Sequence, residues 1–291
     1  MPHAPGDLQL PALPAAHARA LSMLQWEEPD IRELTVVIEG DPALTGSVLR
    51  AANSAASAPR DPIATAGEAI VRLGLIHTRQ IVTVAIAGSS FGELERAQID
   101  THELWRHLIA CALLGDHITW GGERRTSAFT AGLLHDVGRL AMAHMDPDRY
   151  AAAVAQARAT GDIIEAEVNT FGFDHQELGV RVARQWKLPD EIVEAIGDHH
   201  YGNAGPISWA IKGARRIADS LGIGDGVLPA TVPFATADGA AEVDPEPWLN
   251  PVERDPDDEA VLTSLGGEQS FFSQIDWFTS SISGAARQGA A

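Results

Sequence analysis

Ala131-Gly-Leu-Leu-His-Asp-Val-Gly-Arg-Leu140 sets an imidazole and a carboxylate side by side inside a run of small and apolar residues. The run has helical spacing and reads as buried on most sides, so His135 and Asp136 are interior groups. A buried imidazole next to a buried carboxylate is costly unless the pair is hydrogen-bonded, ion-paired or bound to a cation. The segment is therefore a core helix, and its polar pair needs a partner inside the protein.

Helical periodicity continues on both sides of this stretch. Upstream, Pro14 to Gln25, Asp30 to Glu39, Pro42 to Ala52, Ile63 to Leu73 and Ile76 to Ala87 each carry apolar residues at helical spacing. Asp41-Pro42 is a good helix start, because aspartate caps free amides and proline in the first turn loses no hydrogen bond. Gly74 ends a helix. Around and beyond the central stretch the spacing predicts Thr101 to Thr119, Arg125 to His144, Arg149 to Ala159, Ile163 to Thr170, Asp174 to Trp186, Pro189 to His200 and Ile207 to Leu221. Strand alternation is scarce. The expected fold is all-α: two packed helical bundles, residues 10–97 and 98–222, meeting near Ala87 to His102. Residues 1–9 read as a tail. Residues 223–291 read as an acidic, Pro-rich linker with a C-terminal aromatic tail at Phe271, Phe272, Trp277 and Phe278.

Composition excludes several functions. The 291 residues carry a net charge of −19, whereas a phosphate backbone is bound by cationic surfaces, so nucleic acid is not an expected partner. No run approaches the ~20 apolar residues of a membrane span and no secretory leader is recognisable, which predicts a cytoplasmic protein that avoids membranes. The single cysteine, Cys111, rules out an intramolecular disulfide and fits a reducing compartment.

The informative residues are histidines and carboxylates. Glu103 and His107, four apart, share one helix face. Downstream stand His175, the pair His199-His200, and Asp219. Asp174 followed by Glu177 is a capping-box arrangement that puts His175 in the first turn of its helix. Imidazole with carboxylate suits iron, manganese, nickel or zinc, with a carboxylate able to bridge two ions. Without cysteines in the set, a structural zinc finger is excluded. Each residue also has a bland reading: a core histidine satisfied by its neighbours, Glu103 and His107 as a surface pair, Asp219 paired with Arg215 or Arg216. Trp105, Trp186 and Trp209 read as core.

The order His107, His135-Asp136, His175, His199-His200, Asp219 resembles the metal-site pattern of the HD phosphohydrolase superfamily. Asp41-Pro-Ala-Leu-Thr-Gly-Ser-Val-Leu-Arg-Ala-Ala-Asn-Ser54 with Ala69-Ile-Val-Arg-Leu-Gly74 resembles the amino-terminal part of the HDOD family, the HD-related output domains of bacterial signalling proteins. Leu104-Trp-Arg-His107, Gly172-Phe-Asp-His-Gln-Glu-Leu-Gly179 and Trp186-Lys-Leu-Pro189 continue the likeness, which spans about Leu10 to Leu221. It implies a regulatory module that binds a signalling partner or a small phosphorylated ligand, with one or two divalent ions held by His107, His135, Asp136, His175, His199, His200 and Asp219 and with Glu103 at the edge. The alternative it implies is a metal-dependent phosphohydrolase or phosphodiesterase acting on a nucleotide or cyclic dinucleotide, with Asp136 and Arg139 as its working residues. The related HD-GYP phosphodiesterases carry lysine after the His-Asp pair and Gly-Tyr-Pro after the double histidine. This chain has Arg139 and Tyr201-Gly-Asn-Ala-Gly205 there, which argues against cyclic di-GMP hydrolysis. Arg139 is expected to clamp a phosphate or carboxylate of the ligand.

Overall fold

Where an apolar stripe follows a capping residue, the chain forms a helix. The computed structural model describes residues 10–24, 29–54, 59, 61–91, 94–119, 125–230 and 256–286, and among these every regular element is an α-helix. The first four are α1 (Ala15–Leu24), α2 (Ile31–Glu39), α3 (Pro42–Ala52) and α4 (Ala66–Ser90). Asp30 and Asp41 accept hydrogen bonds from the opening amides of α2 and α3, and Thr65 with Glu68 completes a capping box on α4. Each such cap contributes about 1 kcal/mol.

The two helices expected around Gly74 are one element, α4, bent where Gly74 takes φ 74° and ψ 165°. That backbone conformation is open to glycine and strained for other residues. By length and composition α4 alone among the described residues is long and apolar enough to cross a bilayer, yet 56% of its apolar window is buried. It packs against α1, α2, α3, the later α6 (Arg125–Leu134) and the C-terminal α14 (Glu268–Ala286), as a core helix does.

The second group comprises α5 (Thr101–Ile118), α6, α7 (Val137–Met145), α8 (Pro147–Thr160), α9 (Ile163–Phe171), α10 (His175–Gln185), α11 (Asp190–Asp198) and α12 (Pro206–Ser220). α5 lies between α6 and α12. Glycines let the helices meet here. A Cβ on Gly132 would stand 2.5 Å from the Cys111 carbonyl oxygen, and one on Gly138 would stand 1.9 Å from that of His175. The single helix expected over Arg125 to His144 is broken at His135-Asp136, where Asp136 leaves helical geometry (φ −96°, ψ 20°). The break places the polar pair between α6 and α7, at the junction with α10.

The expectation for residues 223–291 needs correcting. Residues 223–230 pack into the molecule: the Asp100 amide donates to the Gly226 carbonyl (2.9 Å), Arg158 Nε donates to that of Val227 (3.1 Å), and Ile223 and Val227 are buried. Two further helices, α13 (Pro256–Ser264) and α14, follow. Leu262, Phe271, Ile275 and Phe278 are buried in the main core, and Trp277 Nε1 donates to Ser54 Oγ (3.0 Å). The acidic composition masked a helical stripe that needs a core to bury it. Residues 1–9 and most of the Pro-rich acidic stretch lie outside the described residues. Trp105 and Trp186 are buried, but Trp209 is 63% exposed on α12 and is not a core residue.

Three substitutions test this packing. Phe278→Ala is expected to lower unfolding free energy in urea by about 3–5 kcal/mol, as for a core aromatic; a loss below ~0.5 kcal/mol is the result for a surface tail. Gly138→Ala is expected to cost about 3 kcal/mol or more through overpacking. Gly213→Ala on α12, whose Cβ would meet only Ile118 at 3.5 Å, should instead gain ~0.5–1 kcal/mol from helix propensity.

Candidate functional site

The break between α6 and α7 delivers His135 and Asp136, the first turn of α10 delivers His175, and the C-terminal end of α11 delivers His199 and His200. His135, Asp136, His175 and His199 are each 0% exposed. Asp136 stands at the centre. Its Oδ2 is 3.3 Å from His135 Nε2, and its Oδ1 is 3.5 Å from both His175 Nε2 and His199 Nε2. His175 Nε2 lies 3.3 Å from His199 Nε2 and 3.0 Å from His200 Nε2.

Which ring nitrogen carries hydrogen follows from the partner on the other side of each ring. His135 Nδ1 donates to the Gly132 carbonyl (2.7 Å), His199 Nδ1 to that of Ile196 (2.8 Å), and His175 Nδ1 to Glu167 Oε2 (2.6 Å). All three therefore turn an Nε2 lone pair toward Asp136. Arg215 has no acceptor atom and stands 3.3 Å from His200 Nδ1, so that nitrogen accepts and His200 carries its hydrogen on Nε2, donating to His175 Nε2 (3.0 Å), a hydrogen bond that a cation on His175 would replace. Glu167, buried itself, also takes the His175 amide (2.9 Å) and the Tyr150 hydroxyl (2.9 Å). Glu167 and Tyr150 thus orient His175 as outer partners orient a metal-ligating imidazole.

This donor set fits a cation. Neither Asp136 oxygen receives a well-directed hydrogen bond, and His135 Nε2 is also left without one although fully buried. The Asp136, His175 and His199 atoms are 3.3–3.5 Å apart, close to the edge of about 3.3–3.4 Å in a tetrahedron with ~2.0–2.1 Å bonds to the metal. Two groups have ligand atoms within 4.8 Å of one another, His175 with His199 and His200, and His107 with Cys111 and His135, the latter with Cys111 Sγ 3.6 Å from His107 Nε2. His135, beside Asp136 Oδ2, connects this group to that carboxylate.

Electrostatics keep Asp136 ionised and the His107, His199 and His200 imidazoles neutral, the forms in which they ligate, while Cys111 stays a thiol. Burial alone would raise the Asp136 carboxyl, but the Arg139 guanidinium outweighs it and holds the group well below its usual range. Burial, then His135, pushes the His107 imidazole down to about 3. Burial likewise lowers His199 and His200, with Arg215 adding to the effect on both, and raises the Cys111 thiol.

Other expectations fare differently. Arg139 is 1% exposed, with NH1 on Asp225 Oδ2 (2.7 Å) and Nε 3.4 Å from Asp136, so it fastens the 223–230 segment to the site and is not placed to clamp a ligand. Glu103 pairs with Arg106 (2.8 Å). Asp219 lines a cleft of about 380 Å³ with His107, Lys212, Arg215, Arg216 and Asp225, which is the open approach to the buried group. Sequence reading missed Glu167, Asp225 and Arg215. Glu167 had a signal, a carboxylate on the inner stripe of its helix eight residues before His175; Asp225 had none, sitting among glycines.

The depressed imidazoles fix a pH dependence. An unfolded histidine titrates near 6.5, so below that pH the unfolded chain takes up protons that the folded chain refuses, and stability falls as pH falls. For chelator-treated protein, unfolding free energy should be flat above about pH 7 and then drop by ~1.4 kcal/mol per pH unit for each refused proton, down toward the folded His107 value of about 3. A flat profile from pH 7 to pH 4.5 contradicts the burial of neutral imidazoles.

Among solved structures, the fold is similar to an HDOD domain protein of unknown function from Geobacter sulfurreducens (23% identical, 95% of this chain and 93% of that one, TM-score 0.67). It is similar also to a candidate signal transduction protein from Marinobacter aquaeolei VT8 (20%, 96% and 59%, TM-score 0.65) and to a candidate phosphohydrolase from Shewanella amazonensis SB2B (27%, 73% and 78%, TM-score 0.61). An uncharacterized protein of Treponema pallidum (strain Nichols) is 24% identical over 181 residues, and the match spans 34% of that protein's length. Residues 10–201 match the HDOD domain model, and the chain belongs to the HDOD domain family.

Proposed function

We propose that this HDOD protein is a cytoplasmic signal-transduction module that holds one or two divalent ions in its histidine cluster and binds a small phosphorylated ligand, or a partner's acidic side chain, at the cleft beside it. The observation that carries this reading is the set of fully buried acceptor atoms, His135 Nε2 and both Asp136 oxygens, that lack a hydrogen-bond donor. Acceptors sealed from water without a donor are unstable unless a cation serves them. His135, Asp136, His175 and His199 would hold one ion, with His107 and Cys111 beside a second position. Imidazole and carboxylate suit iron, manganese, nickel or zinc. When bound, a divalent ion supplies positive charge that stabilises the oxygens of an anion.

The chain's own cations serve the ligand. Lys212, Arg215 and Arg216 line the approach, while Tyr201 and Trp209 are 57% and 63% exposed nearby on the α11–α12 turn and α12. Lys212 is tied to the Tyr201 carbonyl (2.9 Å), and Arg215 links the approach to the cluster through His200 Nδ1. An anion on Arg215 would therefore weaken the restraint on His200. The single buried Cys111 is in keeping with a reducing compartment.

A second reading, a metal-dependent phosphohydrolase, draws support from the likeness to the candidate phosphohydrolase at 27% identity and from the number of converging donors. Against it stands the zero exposure of Asp136 and three of its histidines, since a catalytic centre keeps a position open to substrate. The test is metal analysis of protein purified without a histidine tag, together with a phosphodiesterase and phosphatase screen. The expected result is at least one transition-metal equivalent per chain, a thermal midpoint that drops with chelator and recovers on adding metal, and no turnover. Asp136→Asn is expected to lose both the metal and the chelator response. Metal-free protein whose midpoint ignores chelator overturns the metal reading. Metal-dependent hydrolysis abolished in His135→Ala establishes the enzyme reading instead.

A further inference from the structure

A cavity of about 750 Å³, roughly twice the volume of the cleft at the histidines, opens on the other side of α5. It is bounded by the bend of α4 at Gly74, by Leu113 on α5, and by Trp277 and Phe278 on α14. On α5, His107 and Cys111 share one face, whereas Leu113, Asp116 and His117 lie six, nine and ten residues beyond His107, around the opposite face. The cavity is thus separate from the metal cluster. A smaller hollow of about 180 Å³ adjoins it, sharing Ile76, Gln80 and Asp116.

Three features give this cavity ligand-binding character. Its volume lies within the range of small-molecule sites, and its walls are mostly apolar. Its lining lacks the acidic excess of the protein as a whole: in a chain of net charge −19, Arg72 and the imidazoles of His77 and His117 line the cavity and Arg79 the adjoining hollow, with Asp116 as the one carboxylate of both linings. Finally, Gln80 is 8% exposed and faces both spaces, yet its carboxamide makes no hydrogen bond to the described residues. The carboxamide is not among the polar atoms sealed in the interior; it is open to the cavity, where a ligand's polar group can reach it.

Gly74 keeps the cavity open at the α4 side. Its positive φ ends the first segment of the helix, and the carbonyls freed there are taken by side chains, Leu73 by His77 Nδ1 (3.0 Å) and Gly74 by Thr78 Oγ1 (2.8 Å). The bend leaves Ile76 56% exposed at the rim. His77, with Nδ1 so engaged, meets Trp277 edge to face (6.2 Å between ring centroids).

We propose that the α4–α5–α14 cavity is a binding site for a small amphipathic anion, an apolar body carrying one acidic head, with Gln80 donating to the head and Trp277, Phe278 and Leu113 packing on the body. The probe is 8-anilinonaphthalene-1-sulfonate, an aromatic anion, compared with N-phenyl-1-naphthylamine, which has the same rings without the sulfonate. Wild-type protein should bind one equivalent of the anion at least tenfold more tightly than the neutral amine. Ser273→Trp, at an exposed rim position, should weaken anion binding at least tenfold by filling the mouth, and Gln80→Leu should reduce the preference for the anion; both should leave the thermal midpoint within the spread of replicate measurements. Asp136→Asn should bind the probe as wild type does. Equal binding of the two probes overturns the anion assignment. Binding that exceeds one equivalent and survives both cavity variants overturns the site itself.

Discussion

A carboxylate with no exposure to water, Asp136, is the constraint around which the second group of helices is organised. Stripping a carboxylate of water costs several kcal/mol even after the protein relaxes, and only close cationic or donor groups recover it. Arg139 is one such group, 3.4 Å away. The rest of the environment consists of imidazole lone pairs and not donors, so the site offers an unfilled demand for positive charge. The helix break at residues 135–136 and the glycines that admit α10 against α7 are explained by the same demand. Without Gly138, the His175 backbone could not approach Asp136 at all, since a Cβ would overlap its carbonyl oxygen.

The outer shell is a chain of hydrogen bonds that converges on Glu167. Arg215 donates to His200, His200 to His175, His175 to Glu167, and Tyr150 closes the other oxygen of Glu167. It joins α12, α11, α10, α9 and α8 and ends on Arg215, at the cleft. An anion bound there, as proposed, would meet the arginine that hydrogen-bonds His200. A ligand shifts this arrangement only in so far as it binds one state better than another.

Most of the helices and the convergence of His135, Asp136, His175, His199 and His200 were legible in the sequence. Apolar spacing and caps are local, whereas the meeting of the histidines was implied by the resemblance to the HD metal-site pattern. The helix break at Asp136 was not legible, because Gly-Leu-Leu-His-Asp-Val-Gly has unbroken helical spacing and the break answers a tertiary need. Arg139 was misjudged for the same reason: a guanidinium suited to an exogenous anion is equally suited to Asp225 (2.7 Å), and only the return of residues 223–230 decides between them. Glu103 shares a helix face with His107 by spacing, but its carboxylate pairs with Arg106. α14 was hidden by its acidic, proline-rich surroundings, although Phe271, Ile275 and Phe278 recur at helical intervals.

His135, His175 and His199 are held with their Nδ1 hydrogens engaged and Nε2 unprotonated, the state in which each can take a cation. Long-range ¹H–¹⁵N correlation spectra of histidine-labelled, chelator-treated protein read each ring's tautomer directly. The account predicts Nδ1–H for His135, His175 and His199 and Nε2–H for His200, with the Nε2 signals of the first three moving together on titration with Zn²⁺. Nε2–H tautomers at His135, His175 and His199, or ring signals that ignore the metal, would contradict it.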